Sequence, residues 1–269
     1  MKSKALILLA ITAIAGFAHQ ATAAIDLGTA GNFAVLAGTT VTNTGTTVID
    51  GGDVGVYSGS AITGFPPGVV VPPFTTHSAD AVALQAQTDL TSAYNAAAAL
   101  SRTGTLTGTD LGGLTLTPGV YFFASSAALT GTLTLNNLAD PNAEFVFQIG
   151  TTLVTAGSSA VVTINGGPTP GTNVFWQVGS SATLGTYTAF EGHILADQSI
   201  TLTTGATIFD GSALARSGAV TLDTNSIFNA VPEPATTSLA LLGGGLLGAG
   251  ALGKRLRERR SRSWAPVCT

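Results

Sequence analysis

Between Gln177 and Phe228 the chain repeats itself with a period near nineteen residues, and this limits the fold more than any other feature. Phe190, Phe209 and Phe228 recur at intervals of 19. Leu195 and Leu214 are also 19 apart, each followed by Ala. Leu184, Leu202 and Leu222 are 18 and 20 apart, each preceded by Thr. Ser181-Ala-Thr-Leu184, Ser199-Ile-Thr-Leu202 and Ala219-Val-Thr-Leu222 therefore read as equivalent rungs of a solenoid. Within each rung Ser or Ala and Thr point one way while Ala, Ile or Val and Leu point the other, a period of two that specifies strands. A coil of this length holds three short strands at ~3.3 Å per residue. The expectation is a parallel β-helix with an apolar stack inside and a ladder of small hydroxyl residues outside.

Both ends of the chain read as targeting segments. Lys2 and Lys4, an apolar run from Ala5 to Phe17 and Ala21-Thr-Ala23 form a secretory signal peptide over 1–23, with the cut before Ala24. At the other end Pro232, Glu233 and Pro234 precede an apolar span over 235–253 and the basic cluster Lys254 to Arg260. Nineteen residues meet the ~20 needed to cross a bilayer, and the basic cluster belongs on the cytoplasmic side. The tail 231–269 resembles the PEP-CTERM sorting signal of Gram-negative bacteria, which implies an exosortase as partner. The simpler reading is a plain membrane anchor. Either places the domain at 24–230 outside the cytoplasm, extracellular or on the outer cell surface, anchored by the tail at least transiently.

Within that domain the basic residues are Arg102 and Arg216, against twelve acidic ones, a net charge of −10. Such a surface repels phosphate backbones, which excludes nucleic acid as a partner class. The sole cysteine, Cys268, lies past the span, so stability comes from burial rather than disulfides.

Ala79 to Leu100 differs from the rest. It has no Gly or Pro, is rich in Ala, Leu and Gln, and follows Ser78 with Asp80 as a second capping candidate. This predicts one long helix over about 79–100, covering one face of the solenoid. Elsewhere short alternating runs continue: Thr40-Val-Thr42, Val54-Gly-Val56, Ala61-Ile-Thr63 and Thr152-Leu-Val154. Leu129-Thr-Gly-Thr-Leu-Thr-Leu135 reads as a further ladder rung, with Thr132 and Thr134 outward. Phe65-Pro-Pro-Gly68 and Val71-Pro-Pro-Phe74 interrupt the pattern, since prolines at this density do not sit inside a sheet.

Four runs stand out beyond the repeat: Leu27-Gly-Thr-Ala-Gly-Asn-Phe-Ala-Val-Leu-Ala37, Leu111-Gly-Gly-Leu-Thr-Leu-Thr-Pro-Gly-Val-Tyr121, Val174-Phe-Trp-Gln-Val-Gly179 and Leu214-Ala-Arg-Ser-Gly-Ala-Val-Thr-Leu222. Through them the stretch from about Leu27 to Ile227 resembles the family of ice-binding proteins built on a discontinuous right-handed β-helix with a flanking α-helix. The resemblance implies a mainly β fold and an ice crystal surface as partner, through antifreeze action, inhibition of recrystallisation or adhesion to ice. It also implies that the N-terminal coil inserts into the stack.

Ice offers neither charge nor pocket, so a binder needs a flat, rigid grid of methyl and hydroxyl groups. Threonine supplies both, and β-branching restricts its side chain in advance. The candidate face is Thr40, Thr42, Thr152, Ser181, Thr183, Ser199, Thr201, Ala219 and Thr221, with Val154 beside them. Thr204-Gly-Ala-Thr207 fits a Thr-Ala/Gly-X-Thr/Asn pattern of the family, which makes Thr204 and Thr207 secondary candidates; a corner is the other reading. Thr and Ser are also ordinary choices for the outside of any β-solenoid.

Catalysis has little support. His77 follows the Pro-rich loop, and His193, beside Glu191, reads as a surface corner with no supported nucleophile. No His/Cys cluster suggests a metal, and no cofactor is expected. Asp197, Asp210 and Asp223 are 13 apart, out of step with the coil. Trp176 sits in an apolar strand and reads as core. The alternative function is a surface or exopolysaccharide-matrix adhesin without ice activity, for which exposed aromatics in a groove would be the mark.

Overall fold

A computed structural model describes residues 25–140, 142–166 and 173–229. The leader 1–23, the sorting motif at Pro232 to Pro234 and the span 235–253 lie outside the described residues. Three parallel sheets of nine, seven and eight strands form the sides of a triangular β-helix. Each coil gives one strand to each side in turn. Phe33–Ala37 lies on the first side, Thr40–Thr44 on the second and Val48–Asp50 on the third.

The stacking order is not the chain order. Phe33–Ala37 pairs with Ala213–Ala215 on one side and with Asp53–Val56 on the other. Thr40–Thr44 likewise joins Val220–Asp223, and Val48–Asp50 joins Ser226–Phe228. The N-terminal coils thus stack against the last C-terminal coil, as the family resemblance implies. Between Thr76–Ser78 at one end of the first sheet and Gly104–Thr105 at the other runs α1 (Ala81–Ala99), the one α-helix among the described residues. Parallel strands need such a crossover, and here it returns the chain along the whole stack.

Helix α1 begins one residue after Asp80, whose side chain accepts the Ala83 N–H at 2.8 Å. That bond satisfies one of the orphan donors of the first turn. The start is two residues later than the sequence suggests because Ala79 takes a left-handed φ of 52° at the bend. At the far end Gln148 Nε2 donates to the Ala97 and Leu100 carbonyls at 2.9 Å, which caps the helix from the sheet. Ala86, Leu90, Ala93 and Ala97 pack against Leu36, Val120, Val146, Leu195 and Leu214 of the first sheet. Small alanines bring the helix axis close, and each buried Leu contributes roughly 1.5–3 kcal/mol. The two arginines of the described region also serve packing. Arg216 bonds Asp197 at 2.8 Å and lies over Tyr94. Arg102 lies 3.3 Å over the Phe122 ring.

Inside the triangle the apolar stack is as the repeat predicts. Leu184 pairs with Leu202, and both are buried together with Leu222; Leu195 and Leu214 also pair, but on the outer face of the first sheet under α1, where Ile194 and Ala213 face inward instead. An aromatic file crosses neighbouring coils: Phe147 and Trp176 stack at 3.9 Å, flanked by Tyr121 and Phe190. Trp176 is fully buried, and its indole N–H donates to the Glu191 carbonyl at 3.0 Å.

Two expectations fail on register. Phe190 does not stack with Phe209 and Phe228; it pairs with Ile208 and points inward, while Phe209 and Phe228 pair with each other and point out. The coil that carries Phe190 is one residue shorter between these points, and a one-residue slip reverses the face. Second, Thr132 and Thr134 do point outward, but on the third sheet, next to Ala160 and Val162. The rung of that coil on the second sheet is instead Ala127–Leu129.

Candidate functional site

The second sheet is the only side on which threonines recur in register over many rungs among the described residues. Its outward central column runs Ala128, Val154, Thr183, Thr201, Thr221, Thr42, Thr63, with each neighbour paired to the next. Five consecutive rungs therefore present threonine. Strand spacing puts them ~4.8 Å apart and the row ~19 Å long. Inward partners Ala182, Ile200, Val220 and Val41 are fully buried, so each rung is anchored from behind.

A second column lies two residues upstream, ~6.6 Å away along the strands. It holds Thr152, Ser181, Ser199, Ala219, Thr40 and Ala61. Two of its hydroxyls are tied down: Ser181 Oγ accepts the Ser199 N–H at 3.3 Å and Ser199 Oγ accepts the Ala219 N–H at 3.2 Å. These bonds replace ladder bonds lost at the corner and hold the edge of the sheet straight. The central column behaves differently. None of Thr183, Thr201, Thr221, Thr42 and Thr63 has its hydroxyl engaged by another described protein group, whereas Thr203 and Thr44 beside them bond to the Leu184 and Leu222 carbonyls. The five free hydroxyls and their methyl groups face solvent.

The nearest charge is Asp223, paired with Thr44 at the downstream edge. The hydroxyls of Thr204 and Thr224 donate to it and hold its carboxyl below the ordinary aspartate value. That settles the placement of Thr204: it sits at the corner and serves Asp223. Thr207 lies on the third sheet, its hydroxyl turned to the Thr188 carbonyl. Neither secondary candidate lies on the hydroxyl grid, because the Gly205 turn between them carries the chain around a corner.

Of the remaining candidates, Thr40, Thr42, Thr152, Ser181, Thr183, Ser199, Thr201, Ala219 and Thr221 all fall on this one face. Sequence reading missed Thr63, the fifth threonine. Its run, Ala61-Ile-Thr63, is only three residues long and is followed at once by the Pro-rich turn, so no second period advertises it.

The histidines have structural roles. His193 is not at a surface corner; it is buried in the strand His193–Ala196, with Nδ1 2.8 Å from Ser212 Oγ and its ring stacked on Phe175. Glu191, two residues before it, ends the strand Ala189–Glu191 of the third sheet, and Gly192 turns the corner between them. His77 lies 2.8 Å from Asp80 and 3.6 Å from Asp53, pinning the entry to α1. No group of three or more His, Cys, Asp or Glu side chains arranged to hold a metal occurs among the described residues.

Comparison with known proteins places this geometry in context. Residues 35–228 match the model of a family described as ice-binding-like, and residues 230–260 match the PEP-CTERM protein-sorting motif. An ice-binding protein of Nostoc sp. (strain HG1) is 55% identical over 270 residues, covering 96% of this chain and 97% of its own. An ice-binding protein of Colwellia sp. is 34% identical over 217 residues, covering 76% of this chain and 83% of its own. Among solved structures, an ice-binding protein from an Antarctic biological consortium superposes with a TM-score of 0.72 at 46% identity, over 83% of this chain and 96% of that one. The ice-binding protein of the Antarctic ascomycete Antarctomyces psychrotrophicus gives 0.70 at 46% identity, over 75% and 96%.

Proposed function

Because the chain belongs to the ice-binding-like family, we propose that it binds ice through the outer face of its second sheet. The observation that carries the reading is the five-threonine column Thr183, Thr201, Thr221, Thr42 and Thr63, uncharged and with its hydroxyls unspent on the protein. Rungs ~4.8 Å apart and residues ~6.6 Å apart along each rung make a two-dimensional grid of methyl and hydroxyl groups. Methyl groups prevent water from collapsing onto the backbone, and the hydroxyls hold it in regular positions. Water ordered in this way joins the ice lattice at little further entropic cost. Rigid strands buried from behind keep the grid flat, which a crystal plane requires.

The domain acts after export, with the leader 1–23 removed and the tail presented to an exosortase. The last described residue, Asn229, is held by the Asp50 carbonyl and donates to the Gly31 carbonyl at 3.1 Å. This is the corner between the third and first sheets, the edge of the triangle opposite the second sheet. A tether leaving there keeps the threonine face turned away from the cell surface. That arrangement suits a protein that holds a cell to ice or controls ice outside it. The adhesin reading without ice activity has less behind it: the stacked aromatics Phe147 and Trp176 are fully buried, and the outward Phe209 and Phe228 are one pair on the third sheet.

The test is direct. Residues 24–230 are purified and examined for thermal hysteresis, crystal shape and recrystallisation. Faceted crystals with arrested growth are expected, and Thr201→Tyr should abolish them in a folded protein. Round crystals growing freely at high protein concentration would reject the proposal.

A further inference from the structure

Ile25, the first described residue, meets a cleft rich in acceptors. The Ile25 backbone N–H donates to Glu144 Oε1 at 3.0 Å, across 119 residues of sequence. Ile25 itself is 7% exposed and belongs to the apolar cluster under α1, so this contact is anchored. Glu144 stands at the entry to the strand Phe145–Ile149 and lines a cleft of about 460 Å³ with Thr103, Thr117, Asn137 and Asp140. Asn137 is 2% exposed, and its side-chain oxygen has no hydrogen-bond partner. Burial raises the Glu144 pKa, opposed only by the Ile25 N–H. Both arginines of the described region are committed elsewhere: one to Asp197 and Tyr94, the other to Phe122 and Gln148. The other titratable groups here are Asp140, across the cleft, and Asp26, which is turned to the Gly28 N–H.

We propose that Glu144 and Asn137 form the receptor for the chain's own new α-ammonium, created when the export leader is removed. The proposal rests on the export reading given above. Hydrolysis before Ala24 splits the Ala23–Ala24 amide with one water. The Ala23 carbonyl carbon takes the hydroxyl, and the Ala24 nitrogen takes a proton, then a second from solvent. Successive backbone nitrogens lie no more than about 3.8 Å apart. The new ammonium therefore arises within one residue of the nitrogen already bonded to Glu144. An ammonium has three donors and a positive charge, which matches a half-buried carboxylate and a buried amide oxygen lacking a donor. In the uncleaved chain this position is an uncharged amide and the carboxylate stays uncompensated. Removal of the leader thus completes a buried ion pair and locks the N-terminal segment onto the stack.

The composition provides a clean probe. After the cut, the sole lysine is Lys254, so the chain carries two amines at most. The exported protein is produced with ¹³C,¹⁵N label, its N-terminus fixed by mass spectrometry, and the unmodified α-amine titrated by NMR through the carbon shifts of the N-terminal residue. In the folded protein its midpoint should lie about one unit, tenfold in proton affinity, above the ordinary ~8. It should fall back to that value in urea and in the folded Glu144→Gln variant, whose amide oxygen still accepts the Ile25 N–H. The urea comparison needs no variant and stands even if Glu144→Gln is unstable. A midpoint that is the same folded and unfolded would overturn the proposal while leaving export intact. Cleavage at a distant position would do the same, and a chain that keeps its leader would defeat both readings.

Discussion

Thr221 is the middle of five threonines, and replacing it with tyrosine should separate ice affinity from stability. Each grid position covers roughly 4.8 × 6.6 Å, about 32 Å², so five rungs of two columns present roughly 320 Å². At ~25 cal/mol/Å², complete contact is worth at most about 8 kcal/mol. A tyrosine ring standing up from Thr221 props a rigid crystal plane away from its own rung and those of Thr201 and Thr42. Three rungs of five carry about 5 kcal/mol, a loss of more than a thousandfold in adsorption at ~1.4 kcal/mol per decade. The fold should not notice. Thr221 is exposed, its backbone keeps its pairing to Thr201 and Thr42, and tyrosine suits a strand. Surface changes of this kind stay within ~0.5 kcal/mol. The assay is thermal hysteresis against concentration with a parallel circular-dichroism melt. Thr132→Tyr on the third sheet, equally outward, is the control. Undiminished hysteresis in Thr221→Tyr, with a loss in Thr132→Tyr, would refute the assignment of the face.

Three further outcomes test the energetics. Burial first, and secondarily the Asp210 charge, raise the Glu191 pKa. The folded protein then holds that proton more tightly than the unfolded chain, so stability falls as pH rises through the window above the ordinary glutamate value. Glu191→Gln should raise the melting temperature at pH 7–8 and make no difference below about pH 4, where glutamate is protonated in both states; a gap that persists in acid would contradict this. A Cβ on Gly179 would meet the Gly150 carbonyl oxygen at 2.4 Å. Gly179→Ala should therefore cost about 1–3 kcal/mol by forcing the two coils apart, read as a lower denaturation midpoint in urea. Arg216→Met removes the Asp197 ion pair and the contact over Tyr94, and should cost about 1–2 kcal/mol, part of it recovered in wild-type comparisons at high salt.

How much of this was legible in the sequence depends on how often a signal was repeated. Leu184, Leu202 and Leu222 announced their own stacking because three successive coils share nearly one length. The helix was visible because Gly and Pro are absent from 22 residues in a chain with 34 glycines. Phe190 misled because spacing alone does not tell a face; its neighbour Glu191, not Phe190, pairs with Phe209. Thr132 and Thr134 misled for another reason. Any side of a solenoid shows the same alternation, and only pairing tells which side a strand joins. The site was readable where consecutive coils wrote it and incomplete at Thr63, beyond the seam. The Glu144 contact had no sequence signal at all, since it joins residues 119 apart through one backbone nitrogen.

The return of α1 along the stack has a consequence for size. An ordinary solenoid lengthens by adding coils to a free end. Here the first and last coils of the described region meet inside the stack, at the junction of Phe33–Ala37 with Ala213–Ala215, and both ends of the stack are joined to each other by the helix. Each extra coil would move those ends apart by ~4.8 Å. The helix gains ~1.5 Å per residue, so it would have to grow by about three residues, nearly a full turn, for every coil inserted. Helix α1 is therefore a gauge that fixes how many rungs the molecule has, and through them how long a threonine row it can show to a crystal.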